Sequence, residues 1–229
     1  MTGTGTGSGT SPLFPASVIH VEMFHDPPDA VLFPEEEALI ARAVPKRRYE
    51  FTTARLCARE ALARLGHPAA PILRDPRGAP LWPEGVVGSL THCAGYRAAA
   101  VAHRDDLAAL GLDAEPNAPL PDPDTLALVS LAGERERLAG LAAAHAGLGV
   151  HWDRLLFSAK ESVYKSWYPL TGRWLGFEEA DITISARDHT FRAELLVPGP
   201  TVNGTTLTHL NGHWQLRGNL ILTSTDVPA

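Results

Sequence analysis

The chain has 229 residues, 45% of them hydrophobic and 20% charged, with a net charge of −6 at pH 7. That suits one large domain or two small ones with a sizeable core, excludes wholesale disorder, and argues against whole-surface nucleic-acid binding. No apolar run nears the roughly 18 residues of a membrane span, no secretory leader is visible, and Cys57 and Cys93 cannot make a disulfide framework or a CxxC metal site; a cytoplasmic soluble protein is the expectation.

In chain order, residues 1–12 are Thr, Gly and Ser with one Pro, a composition that predicts a flexible tail. Residues 17–24 alternate as a strand does, and residues 34–43 read as a helix opened by Pro34 and the acids after it. Residues 47–65 form the clearest helix, with Phe51, Ala54, Ala58, Leu62 and Leu65 on one stripe and Gly66 and Pro68 as stops. Arg48, Thr52, Arg55 and Arg59 cluster along one edge of that stripe. From Arg42 to Arg64, seven basic residues and two acids give the window +5 and leave −11 for the rest. A local cationic patch on an acidic chain points to a small anionic ligand, or else to a solvated basic helix face. Arg55, nearest the apolar side, is either bound to an anion or laid along the core by its stem.

Residues 71–85 are a Pro/Gly-rich loop carrying Arg74 and Arg77. Two short strands follow about a Gly-Tyr turn, then an apolar strand over 108–116 stopped by Pro116, and a Pro/Asp linker over 117–124. Residues 125–146 read as helical, in one piece or broken near Gly133 or Gly140, and 151–168 as a helix ended by Pro169. The short alternating runs of 177–225 predict an antiparallel sheet.

Three features carry chemistry. Asp113 and Glu115 stand two apart on an extended segment, so their side chains share a face. Paired carboxylates repel, and a hard divalent cation is one compensation; an acidic strand-end turn is the plainer alternative. Glu161 and Lys165 share a helix face with Lys160 beside them, in a segment made apolar by Phe157, Val163, Tyr164 and Trp167. They are either an exposed ion pair or buried groups that need partners. Ser89, Thr91 and His92 follow Gly88, where a backbone can approach a ligand closely and an imidazole can donate to a phosphate; a structural histidine is the alternative. Three carboxylates, lysine and arginine clamps and a histidine together are equipment for displacement at a diphosphate, where catalysis is positioning and charge stabilisation. The motifs GxxxxGK[ST], HExxH and GxSxG are absent.

The stretches RRYEFTTARLCAREALARLG (47–66), RGAPLWPEGVVGSLTHC (77–93), LGLDAEP (110–116) and FSAKESVYKSWYP (157–169) resemble, in order and spacing, the Sfp-type 4′-phosphopantetheinyl transferases, nearest in flavour to the branch of enterobactin synthetase component D. One departure is Ala54, where related proteins usually carry Gly. The resemblance implies an α/β (α+β) fold of two similar halves with pseudo-twofold symmetry, here 13–110 and 111–229, with coenzyme A between them. It implies that Asp113, Glu115 and Glu161 hold Mg²⁺ with the diphosphate, and that Lys165, with Lys160 beside it, contacts that diphosphate. It places His92, flanked by Ser89 and Thr91, and Arg48 and Arg55 at the 3′-phosphate, and Arg77 and Arg74 near the adenine. The implied reaction moves the 4′-phosphopantetheine arm to a serine of apo acyl or peptidyl carrier proteins. Glu161 or water takes the serine proton, and 3′,5′-ADP leaves. The carrier is expected to dock near residues 119–131, with no nucleic acid and no membrane as partner, and a monomer is expected. Two alternatives are another Mg²⁺-dependent enzyme of nucleotide diphosphates and a non-enzymatic coenzyme A binder. A nucleic-acid module using the 42–64 patch is disfavoured by the −11 remainder.

Overall fold

The structure, a computed structural model, describes residues 12–229; residues 1–11, and so nearly all of the expected tail, lie outside the described residues. The chain lays down β1 (Ile19–Met23), α1 (Pro34–Leu39), α2 (Pro45–Arg64), β2 (Val86–Cys93), β3 (Tyr96–His103) and β4 (Leu107–Pro116). Then come α3 (Pro123–Val129), α4 (Ala132–Ala144), α5 (Trp152–Thr171), β5 (Ala180–Ser185), β6 (Thr190–Leu195), β7 (Thr201–Val202), β8 (Thr205–Thr206), β9 (His209–Arg217) and β10 (Leu220–Pro228). The fold is mixed α/β with antiparallel sheets in the orders β1-β3-β2 and β4-β10-β9-β6-β5, plus the small β7-β8 ribbon.

Helix α2 begins with Pro45 at its first position, where the missing N–H costs nothing, and buries Phe51, Ala54, Ala58, Ala61 and Leu62, four of them from the predicted stripe. It packs on β3, whose alanine run is explained by burial on both faces. Ala99 and Val101 meet Cys57, Ala58 and Ala61 of α2, whereas Ala98, Ala100 and Ala102 meet Leu110, Leu112 and Leu222 of the second sheet. Small side chains let two layers close on one strand.

The predicted helix over 125–146 is two helices, and the break lies at Ser130–Leu131, upstream of both glycines. Both residues are extended, and Glu134 accepts the Leu131 N–H at 2.7 Å, which starts α4 afresh. Helix α5 runs through Pro169 to Thr171 and stops at Gly172, whose φ of +63° is the left-handed region. A proline in the final turn removes one hydrogen bond, too little to end the helix.

Strand β4 joins the two sheets. Its ladder partner is β10, with Asp113 opposite Thr223 and Glu115 opposite Ile221. On its other side lies β2, attached through side chains: the Leu112 N–H donates to Ser89 Oγ at 2.9 Å and the Ala114 N–H to Thr91 Oγ1 at 3.0 Å. The odd residues of β4 face α5. Gly111 lies so close to the Ser162 carbonyl that a Cβ there would overlap it. Asp113 meets Ser158, and Glu115 meets Arg154. Residues 154, 158 and 162 are one turn apart, so a strand of period two is registered against a helix face. That seam carries Asp113 to the edge of a cavity.

Candidate active site

A cavity of about 700 Å³ lies between α2, the loop 71–85, β2 and the second half of α5. One end is cationic. Arg47 and Arg55 from α2 and Arg74 and Arg77 from the loop line it. Arg55 is 4% exposed, donates Nε–H to the Ile72 carbonyl at 2.9 Å and stacks on the Phe51 ring at 4.3 Å. Burial pulls its guanidinium down to about 10, helped by Arg74, Arg47 and Arg59 and opposed by Glu36. It remains charged at neutral pH. Glu36 is fully buried, bonds Arg59 at 2.8 Å, accepts the Ile72 N–H at 2.9 Å and lies 4.0 Å from Arg55. Four guanidiniums line this end, with Asp75 as the carboxylate on its wall and Glu36 and Glu50 behind Arg55 and Arg47, an excess of positive charge that suits an anion.

The sequence misplaces one arginine. Arg48, expected at the phosphate, donates to Glu37 at 2.6 Å and to the Ile40 carbonyl at 3.0 Å, tied to α1 outside the cavity. Its neighbour Arg47 lines the cavity and donates to Nε2 of His92. The helical period gave no signal for this: Arg48 lies about 20° from Arg55 round the helix and Arg47 about 80°, so the tie of Arg48 to Glu37, and not the spacing, takes it away from the cavity. His92 is brought to the cavity as expected, with Nδ1 3.6 Å from Glu50. Burial, then Arg47, holds its imidazole down at about 4, so it is neutral at pH 7. Ser89 and Thr91 also line the cavity, yet both are 3% exposed and their hydroxyls are given to β4; they hold the sheets together.

The other end is acidic. Asp113 Oδ1 accepts from Lys165 Nζ at 2.8 Å, and Oδ2 accepts from Ser158 Oγ at 2.8 Å. Lys165 also donates to the Leu112 carbonyl at 2.9 Å. Glu161 shares the cavity wall with Asp113 and Lys165, and among the described residues none donates a hydrogen bond to its carboxylate. Burial and then Asp113 raise Glu161 above the ordinary carboxylate range, and Lys165 opposes them. Glu115 shares the strand face but turns to Arg154, at 2.9 Å, and does not line the cavity. Burial and Asp113 raise its carboxyl too.

Lys160 corrects the sequence reading most clearly. Its ammonium donates to the Phe177 carbonyl at 2.5 Å and the Ala180 carbonyl at 3.0 Å, and pairs with Glu134 at 2.9 Å. Three donors meet three acceptors inside the protein, so none is left for a diphosphate. Sequence reasoning also missed Ser158 and the aromatic wall. Tyr164 and Tyr168 line the cavity, and Tyr168 donates at 2.5 Å to Asp75 of the 71–85 loop, with the Arg77 guanidinium 5.9 Å over its ring. The period of α5 puts Tyr164 and Tyr168 on the face of Glu161, but their link to Asp75 spans 93 residues and has no local signal.

The fold and cavity define a mixed α/β protein with one cavity that is cationic at one end and acidic at the other. Comparison with known proteins places it. Residues 35–102 match the 4′-phosphopantetheinyl transferase N-terminal domain and residues 109–218 the 4′-phosphopantetheinyl transferase superfamily. The chain is 56% identical over 220 residues to 4′-phosphopantetheinyl transferase Svp of Streptomyces mobaraensis, covering 95% of this chain and 88% of that protein. It is 47% identical over 227 residues to 4′-phosphopantetheinyl transferase PptT of Mycobacterium tuberculosis, covering 95% of this chain and 97% of that one. Enterobactin synthase component D of Salmonella typhi is more distant, 30% identical over 200 residues covering 87% of this chain and 80% of that one, so the likeness to that branch is a distant one. The chain belongs to the 4′-phosphopantetheinyl transferase superfamily.

Proposed function

We propose that the protein transfers the 4′-phosphopantetheine arm of coenzyme A to a serine of apo acyl or peptidyl carrier proteins, releasing 3′,5′-ADP. One observation carries the reading: a single cavity has Arg47, Arg55, Arg74 and Arg77 at one end and Asp113, Glu161 and Lys165 at the other. Coenzyme A has that polarity, with a 3′-phosphate at one place and a diphosphate at another. The 3′-phosphate lies at Arg47, Arg55 and His92, the adenine near Arg74 and Arg77, and the diphosphate at Lys165. A smaller cavity of about 70 Å³, lined by Lys160, Glu161, Tyr164 and Trp174 among others, adjoins the acidic end. The halves 13–110 and 111–229 supply the two walls and meet at β4.

Oxygen donors suit Mg²⁺, and the carboxylates fit it chemically, because Asp113 raises the proton affinity of both Glu115 and Glu161. Among the described residues no group of three acidic, His or Cys side chains converges on one point. Asp113, Glu161 and, once released by Arg154, Glu115 would hold the ion. When bound, it supplies charge neutralisation at the diphosphate.

In the reaction Glu161 accepts the proton of the carrier serine; its raised proton affinity is what a base needs. The serine oxygen attacks the β-phosphorus, the bond to the bridging oxygen breaks, and the electron pair leaves on 3′,5′-ADP. Lys165 moves its ammonium from Asp113 to the departing charge. Ser158 keeps Asp113 aimed from β4 toward the cavity. A panel of apo carriers incubated with coenzyme A and Mg²⁺ and scored by intact mass tests the reading. Addition of the arm to a serine is expected; coenzyme A bound without transfer to any carrier overturns it. No helix among the described residues is long and apolar enough to cross a membrane.

A further inference from the structure

At the cationic end the hydrogen bonds leave a gap that the reaction alone does not explain. A guanidinium only donates, so Arg47 Nη1 donating to His92 Nε2 makes that nitrogen the acceptor. The one ring proton is then on Nδ1, which faces Glu50 Oε2 at 3.6 Å. Arg47 Nη1 lies 3.8 Å from the same oxygen. Glu50 is 8% exposed, held beneath both groups by α2. The charged groups facing His92 are Arg47 and Glu50 from α2, Arg97 from β3 and Lys165 from α5. Burial first, and then three cations against one carboxylate, keep the imidazole neutral.

A phosphate reverses that balance. Its oxygens compete for the Arg47 fork, and when Arg47 turns to them Nε2 presents a bare lone pair to an anion. A proton at Nε2 converts the repulsion into a charge-assisted hydrogen bond. We infer that Glu50 is a positioning residue that orients His92 and serves as the counter-charge against which His92 takes up a solvent proton as the 3′-phosphate draws Arg47 away. This rests on the coenzyme A reading above. The balance is simple: one proton moves from water to Nε2, one Arg47 N–H moves from Nε2 to a phosphate oxygen, and no covalent bond of the ligand changes.

The test is calorimetric titration of the intact protein with coenzyme A and with 3′-dephospho-coenzyme A. Buffers of different ionisation enthalpy are used near pH 7, where most of the phosphate is already a dianion (second pKa about 6). Any proton that the phosphate itself loses has the opposite sign. Wild type is expected to take up protons with coenzyme A and not with the dephospho form. Glu50→Gln is expected to lose that uptake and weaken coenzyme A while sparing the dephospho form, and Glu50→Asp to restore part of both. The wild-type comparison stands without any variant. No uptake in wild type, equal uptake with both ligands, or full uptake in Glu50→Gln overturns the inference. Equal affinity of wild type for both ligands means that the phosphate placement itself has failed, and the inference fails with it.

Discussion

Removing the carboxylate of Glu134 should cost the protein a large part of its stability. Oε2 accepts from the Leu131 N–H at 2.7 Å and pairs with Lys160 at 2.9 Å, and Oε1 accepts from the Ile182 N–H at 2.7 Å. The two side chains are 3% and 0% exposed. In Glu134→Ala the ammonium stays buried without its counter-ion, a loss of about 3–5 kcal/mol when one partner of a buried pair is deleted. Each orphaned N–H adds about 1–3 kcal/mol if it stays dry. Lys160 keeps two carbonyls and water enters the hole, so these figures overlap, and the working value is about 4 kcal/mol. Against the usual 5–15 kcal/mol of a domain, the variant folds with a much lower urea midpoint. Equilibrium urea unfolding followed by circular dichroism and tryptophan fluorescence measures it. A loss under about 1 kcal/mol with an unchanged slope would refute the buried-pair argument. A companion variant separates support from ligand binding: Lys160→Met should bind coenzyme A with unchanged affinity when folded. Weakening by about tenfold would return Lys160 to the ligand.

Other outcomes follow from the same geometry. Arg47→Ala should raise the KM for coenzyme A by about tenfold or more, the worth of a charge-assisted hydrogen bond, and hardly affect dephospho-coenzyme A; Arg48→Ala should leave both alone, and steady-state kinetics with both substrates decides. For His92, whose folded value of about 4 lies below the ordinary imidazole value of 6.5, the unfolded chain binds more protons between those values. Its contribution is therefore complete above the unfolded value and lost as pH falls through that window, so His92→Gln should flatten the acid side of the urea-midpoint profile; an unchanged profile contradicts this. Gly111→Ala drives a methyl into the Ser162 carbonyl and should cost about 1–3 kcal/mol of stability by overpacking, with a loss of transfer as α5 lifts from β4; a neutral melting temperature contradicts the seam.

Much of this was legible in the residues, and the rest was not for physical reasons. The stripe of α2 and the apolar strand carrying Asp113 and Glu115 are local periodicities, and the structure reproduces them. Adjacent residues were the hard part. Lys160 and Lys165 are five apart, about 140° round a helix, and take different partners; Glu134, the partner of Lys160, belongs to a different helix and leaves no local signal. The hydroxyls of Ser89 and Thr91 looked like ligand groups because the strand they stitch, β4, lies 23 residues on. Asp113 and Glu115 do share a face, but only the tertiary placement of Arg154 decides that Glu115 is turned aside.

Glu161→Gln keeps the size and helix preference of the side chain and removes its capacity to accept a proton at the cavity wall. Intact mass of an apo carrier, recorded over time with coenzyme A, Mg²⁺ and either the wild type or this variant, is the most direct test. Wild type should add the arm to every carrier molecule, and the folded variant should bind coenzyme A yet leave the carrier unmodified. Transfer by the variant at the wild-type rate would contradict the placement of the reaction at Asp113, Glu161 and Lys165.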